Sequence, residues 1–432
     1  MRAFLVSMLF LAAVTALRAD DWPQWMGPKR DNVWREAGIL ESFPAAGPNV
    51  LWRAKIANGF SGPAVAGGLV FVTDFVSKAD ISADNFDRVQ YDGQERVMCF
   101  DAKSGEARWK HGYDVNYTVS YPNGPRCTPV VDAGKVYTLG AEGHLFCFDA
   151  KTGKIEWSRE LKKSYGVNSP LWGFAAHPLI DGDRLICMVG GKGSVAVAFD
   201  KNTGKEIWKS LSADEPGYSP PMIVEGKTRQ LIIWHPESIN SLDPATGSVY
   251  WTVKQPTVNG TSIMSPRVFE NQLFIGAWQR KGLLLKIDTD KPAAKSVWKG
   301  DRDSAVYPVN NTPIIDGGFI YGVCTDGELR CVDIKDGERK WESYKPVAGE
   351  KAQSGTAHIV KNGDRFFIAN EKGDLVIAKL TPKGYDEVGR WHMLAATSKA
   401  FGRDVLWAHP AFAQQCAFAR NDKELICVSL AK

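Results

Sequence analysis

The residues able to do chemistry are few and scattered. Of seven histidines, His177 and His409 each stand before a proline, and each opens a strand. Two imidazoles invite a metal ion, but such a centre needs at least a third protein ligand. No carboxylate takes the matching position elsewhere in the chain. Hydrogen-bonded structural histidine is therefore the preferred reading, and no metal is expected. The eight cysteines include no adjacent pair, no Cys-x-x-Cys and no Cys/His finger spacing. Cys99, Cys147, Cys331 and Cys427 share one strand position, just before a Phe-Asp, Val-Asp or Val-Ser step. They read as buried thiols packing as small hydrophobes. Cys324 or Cys416 is left open as a partner in a local bridge. There is no Gly-x-Ser-x-Gly, no His-Glu-x-x-His and no phosphate-cradling glycine loop. No catalytic residue is assigned.

What must position these residues is a repeat. The stretch Phe148 to Trp157 has Asp second, Gly sixth and Trp tenth. Phe100 to Trp109, Phe199 to Trp208, Leu242 to Trp251 and Val332 to Trp341 keep the same plan. An apolar residue and Asp end a strand, Gly takes a positive φ in a tight turn, and the next strand carries the indole. In the cleanest unit, Thr128 to Val131, Lys135 to Leu139, His144 to Phe148 and Lys154 to Trp157 are the four strands. First strands begin near Pro63, Pro129, Pro178, Pro221, Pro266, Pro313, Ala357 and Pro410. The outer-strand tryptophans are Trp52, Trp109, Trp157, Trp208, Trp251, Trp298, Trp341 and Trp391. Trp52 arrives before any complete unit, and the last unit, His409 to Leu430, lacks a Trp strand. Leu51 to Ile56 should therefore complete the last blade. Repeats of about 43–51 residues closed in this way predict an all-β fold, an eight-bladed β-propeller of four-stranded antiparallel blades. Closure hides the sheet edges, and each indole should pack between neighbouring blades.

Residues 1–19 read as a secretory signal peptide: Arg2, an apolar run from Ala3 to Leu17 too short to span a bilayer, and a small residue at Ala19. Residues 20–49 form a Trp/Pro-rich arm, expected to pack over the propeller surface, and 50–432 form the propeller. The protein is expected to be exported, periplasmic or extracellular, monomeric, and without a transmembrane segment after cleavage. The net charge of +4 is too small for a nucleic-acid patch.

The Ala-x-Thr-Gly-x-x-x-Trp run of Ala150 to Trp157 resembles the tryptophan-docking repeat of the pyrroloquinoline-quinone (PQQ)-like β-propellers, and the likeness covers nearly all the chain from Leu51. That family includes quinoprotein alcohol dehydrogenases and the periplasmic propeller lipoprotein of outer-membrane β-barrel assembly. The opening Asp21-Trp22-Pro23-Gln24-Trp25, with Gly27-Pro28-x-Arg30-Asp31, is similar to exported members for which no activity is implied. Resemblance to the quinoproteins would imply a Ca²⁺ site with Glu and Asn, an Asp base and adjacent cysteines. Here no cysteines are adjacent. No Asp or Glu lies among or beside the ring positions named below. Asp303 and Asp404 are too many positions away to reach a proton at about 3 Å.

Propeller loops divide into two faces. The Asp-x-x-x-Gly turns make one uniform face. The blade-to-blade crossings and second-to-third strand loops make a variable face, where a selected function should lie. The residues opening the first strands should ring the axial mouth: Gly62, Thr128, His177, Pro220, Ser265, Thr312, Thr356 and His409. Such a mouth is expected to hold water or admit a ligand. The crossings add Arg126, Trp172, Asn311 and Trp407, and Trp278 and Arg280 lie on the same face. Phe75 to Glu95 lengthens one loop with Asp80, Asp84, Asp87, Arg88 and Glu95, read as a solvated charged loop or a partner-docking one. A mixed charged rim with Trp172, Trp278 and Trp407 suits protein or peptide recognition. The reading is an exported non-catalytic scaffold or binding protein with no cofactor. A PQQ-binding quinoprotein with Ca²⁺, or a diverged oxidoreductase, is the alternative, so enzymatic activity stays open.

Overall fold

The computed structural model describes residues 20–81, 85–279, 282–301 and 303–432. The expected leader lies outside them. Eight four-stranded antiparallel sheets make the blades. Blade one runs Ala64–Ala66, Leu69–Val76, Tyr91–Asp101 and Ala107–Tyr117 from axis to rim, and blade two runs Val130–Asp132, Lys135–Leu139, His144–Asp149 and Ile155–Glu160. In blade eight the order is Val50–Lys55, Glu424–Ser429, Cys416–Arg420 and Ala411–Ala413. The first strand thus closes the ring from outside, with Trp52 opposite Cys427 and Ala54 opposite Leu425. A two-stranded hairpin, Ser398–Ala400 with Arg403–Val405, decorates the crossing into blade eight. The one helix among the described residues, Leu161–Tyr165, is five residues long. No described helix is long and apolar enough to cross a membrane.

The repeat chemistry explains the ring. The Asp149 carboxylate accepts from the Lys151 and Thr152 N–H groups and the Thr152 hydroxyl, which shapes the turn. Gly153 then sits at φ +70°, where an added Cβ would lie 2.5 Å from the Trp109 ring of the preceding blade. The Trp109 Nε1–H donates to the Ala150 carbonyl of that same turn at 2.9 Å. Trp52, Trp157, Trp208 and Trp298 repeat the arrangement, on Ala102, Lys201, Pro244 and Ile334. Each indole is therefore a dock between blades. Blade five breaks the pattern, because its turn reads Asp288-Thr289-Asp290-Lys291-Pro292. There Trp251 donates to the Gln230 side chain instead.

The arm does more than lie on a surface. Trp22 pairs with Val65 in the innermost strand of blade one, and Val33 bridges to Lys361 in blade seven. Trp22, Trp34 and Ile39 join a core with Val65, Phe367, Phe412 and Phe418. Trp34 is 1% exposed. An aromatic side chain that removes ~150–250 Å² from water contributes about 4–6 kcal/mol as an upper bound. Pro44 to Gly47 forms a turn against Trp391, with a Gly47 Cβ only 2.4 Å from the Trp391 Nε1. At the seam the chain has no blade-eight turn to offer, and the arm supplies one. All eight cysteines are buried and unbridged, so neither Cys324 nor Cys416 closes a local disulfide.

Candidate binding site: the axial cup

The expected ring of strand-opening residues converges on the axis. The Thr128 N–H donates to His177 Nδ1 at 2.9 Å, and the Thr128 hydroxyl pairs with His409 Nε2 at 2.8 Å. Ser265 donates its N–H to the Thr312 hydroxyl. Gly62 faces His409 so closely that a Cβ would lie 2.4 Å from its Nε2.

The arm changes what this ring can be. Trp25 rises into the axis from the uniform face. Its indole stacks on His177, with centroids 4.5 Å apart and planes 7° apart, and meets His409 edge-on at 4.1 Å. A third histidine, His358, stands 5.6 Å from His409. Its Nε2 donates to the Trp407 carbonyl at 3.0 Å. Desolvation pushes His177 and His409 well below the ordinary imidazole value and His358 down to about 4. All three are neutral near pH 7. Beneath them, Arg30 donates to the Pro178 carbonyl at 2.8 Å, and Arg267 to the Arg30 carbonyl at 2.9 Å. Burial lowers both guanidinium groups to about 10. Trp25 and Arg30 thus stopper the axis, and the mouth is a blind cup of about 210 Å³.

The walls come from the crossings. Phe60, Tyr121, Trp172, Tyr218, Phe401 and Trp407 surround the floor, with Asn85, Arg126 and Asn311 among them. The Trp172 Nε1–H is held by the Asn85 side chain at 3.0 Å. Arg126 donates to the carbonyls of Gly124, Ser120 and Tyr121 and so pins its own loop. Asn311 is 2% exposed; its amide donates to the Val323 carbonyl, while its Oδ1 has no protein partner. The Trp25 Nε1 is likewise buried without one.

The structure brings together Arg126, Trp172, His177, Asn311, Trp407 and His409, with Thr128 just behind. It separates Trp278, which lines a second hollow of about 690 Å³ with Tyr307, Glu328 and Arg330. Arg280 lies outside the described residues. Sequence reasoning missed Trp25 and His358, and it placed Tyr121 and Tyr218 on the crossings of this face without choosing them as site residues. It also missed one carboxylate beside the ring, Glu371, and a second buried in a neighbouring turn, Glu142. Glu371, 1% exposed, accepts from the Thr356 N–H at 3.0 Å and pairs with Arg403 at 2.8 Å. Glu142 accepts from the Thr118 N–H at 2.6 Å and pairs with Lys162 at 2.5 Å. Both acids sit in second-to-third strand turns, and enclosing donors use them as staples. Glu95 is not part of a solvated loop: it lies in a strand, 1% exposed, and accepts from Tyr113, Tyr117 and the Ala141 N–H. Burial raises its carboxyl above the usual range. Most described residues of the loop are exposed, while Arg88 donates to the Thr118 and Ser169 carbonyls.

Comparison with known proteins agrees with this architecture. No curated protein matches the sequence. Among solved structures, BamB from Moraxella catarrhalis is similar at TM-score 0.59 and 17% identity, covering 88% of this chain and 97% of that one. A europium-containing methanol dehydrogenase is similar at TM-score 0.65 and 12% identity, covering 95% and 89%. Quinohemoprotein alcohol dehydrogenase from Comamonas testosteroni gives TM-score 0.60 and 14% identity, covering 95% and 81%. Likenesses at such identity speak to the fold alone. The family model described as outer membrane protein assembly factor BamB matches residues 93–229 and 235–429. Together with the docking tryptophans, that match places the chain in the PQQ-like β-propeller family.

Proposed function

We propose that this chain is an exported, non-catalytic binding propeller that holds a protein or peptide partner at the axial cup of its variable face. One observation carries the reading. The cup presents six aromatic rings above a sealed floor, no carboxylate lines it among the described residues, and Arg126 donates to three carbonyls of its own loop. Rigid aromatics around a desolvated hollow are the makings of a binding hot spot. The family description, an outer membrane protein assembly factor, supports a polypeptide partner in the cell envelope.

The residues present do not fit PQQ with Ca²⁺. A planar tricarboxylate would meet, among the described lining residues, a single cation that is held by three carbonyls of its own loop. Ca²⁺ takes six to eight oxygen ligands, with carboxylates prominent, and the cup offers neutral amides and hydroxyls. Nor do the residues assemble an acid–base pair. Thr128 and His409 touch, but no carboxylate orients that imidazole, and desolvation keeps it a poor base.

A photo-crosslinking amino acid at position 407 tests the reading, with position 297 on the exposed rim as control. Discrete polypeptide adducts from envelope extracts at 407 and not at 297 are expected. Equal labelling at both positions would sink the cup as the contact. Stoichiometric, saturable PQQ binding that requires Ca²⁺ would overturn the non-catalytic reading.

A further inference from the structure

Resting on that reading, we infer that the cup is a specificity pocket for a tryptophan or tyrosine side chain in an extended segment of the partner, with a lysine or arginine beside it. The protein itself shows what the axis accepts. Trp25 is a flat ring held by stacking on one neutral imidazole and edge contact with another. The walls above it repeat that chemistry with Tyr121, Trp172 and Trp407.

The buried polar atoms narrow the choice. Asn311 lines the cup, and its Oδ1 is buried behind that surface without a protein donor. Leaving such an acceptor bare on filling the cup is costly. An indole N–H or a phenol O–H satisfies it, whereas phenylalanine or leucine does not. A cationic group would gain little, because no carboxylate lines the cup among the described residues.

The flanking cation comes from an adjacent hollow. It is lined by Phe86, Leu171, Asp214, Glu215, Glu237 and Gly260. Asn85, Trp172 and Thr261 line the cup, so at three places consecutive residues face opposite hollows across one wall. Phe86 and Trp172 form its crest, with ring centroids 5.7 Å apart. Arg88 answers Glu215 at 3.8 Å, while no ion pair of the described residues engages Asp214 or Glu237. An aromatic residue in the cup therefore places its chain neighbour near exposed carboxylates.

The experiment is a fluorescence-anisotropy titration of the protein with fluorescein-labelled nonapeptides in a Gly-Ser frame. The central pair is Trp-Lys, Tyr-Lys, Phe-Lys, Ala-Lys or Trp-Glu. Trp-Lys and Tyr-Lys are expected to bind at least ten-fold tighter than Ala-Lys and several-fold tighter than Phe-Lys. Trp-Glu is expected to be the weaker of the two Trp peptides, and the surface variant D214K/E237K should invert that order. Loss of the aromatic ranking would overturn the pocket, and an unchanged Lys preference in the variant would overturn the cation. If position 407 still crosslinks envelope polypeptides while the peptides show no ranking, this inference fails and the binding reading stands. If neither occurs, both fail.

Discussion

The two faces of this propeller are ends of the same strands, yet one is sealed and the other open. On the uniform face, turn carbonyls accept indole N–H groups, the arm adds Trp22, Trp34 and a substitute turn at Gly47, and Trp25 stoppers the axis. On the variable face, Trp172 and Trp407 give their N–H groups to side chains, Asn85 and Glu371, and keep ring surface toward a hollow. The same residue type holds blades together at one end and offers itself to a partner at the other. What differs is whether the neighbouring backbone is a repeated turn or an individual crossing.

The largest effect should come from the seam. Deleting Val50–Lys55 removes the outer strand of blade eight and the Trp52 dock on blade one. It uncovers the edge of Glu424–Ser429 and the blade-one face that Trp52 packs against. No cooperative denaturation transition is expected from that variant, by circular dichroism in urea. A propeller that merely shortened, keeping its transition, would show the blades to be independent.

Next comes a paired substitution. Trp157→Ala should cost about 3–5 kcal/mol, because the ring fills the wedge against Gly204 and donates to Lys201. Trp172→Ala should cost about 1 kcal/mol, the order of one hydrogen bond, while weakening partner capture at least ten-fold. Urea midpoints with crosslinking yields check both. Equal stability losses would erase the distinction between docking and presenting tryptophans.

Acid probes the stopper. Burial depresses the axial histidines, so the unfolded chain binds protons first as pH falls. Stability from keeping His358 neutral is complete above about 6.5, shrinks below it and is gone near pH 4. The drop of 2.5 in pKa corresponds to about 3 kcal/mol. His358→Gln should make the urea-midpoint profile shallower between those limits, the remaining slope belonging to His177 and His409. An unchanged profile would mean that the imidazole is not sealed against Trp25.

How far the sequence could be read follows the same division. The strands of blade two, the seam and the docking tryptophans were legible because turn chemistry and an indole recur at fixed spacing. Most of the axial ring was legible for the same reason. The stopper was not. Trp25, Arg30 and Trp34 belong to no period, and their partners His177, Arg267 and Phe367 are distant in sequence. His358 escaped notice because Thr356 holds the ring-opening position in its blade. Glu95 read as loop charge because a strand end and a solvated loop look alike until Tyr113 and Tyr117 are seen to face it.

The smallest contrast isolates what a docking turn requires. Gly134 and Gly153 both lie at positive φ, +78° and +70°. An alanine at Gly134 would meet nothing within 4 Å, so only the left-handed backbone is penalised, at about 1–2 kcal/mol. At Gly153 the same methyl would press the Trp109 ring at 2.5 Å, adding the displacement of an indole to an identical backbone cost. Gly134→Ala should therefore lower the urea midpoint by that backbone cost alone, and Gly153→Ala should lower it further, with Trp109→Ala in the same chain abolishing the difference. Equal costs at the two glycines would mean that backbone conformation alone selects the turn residue. A larger cost at Gly153, relieved by removing Trp109, assigns the repeat's glycine to the neighbouring blade as much as to its own turn.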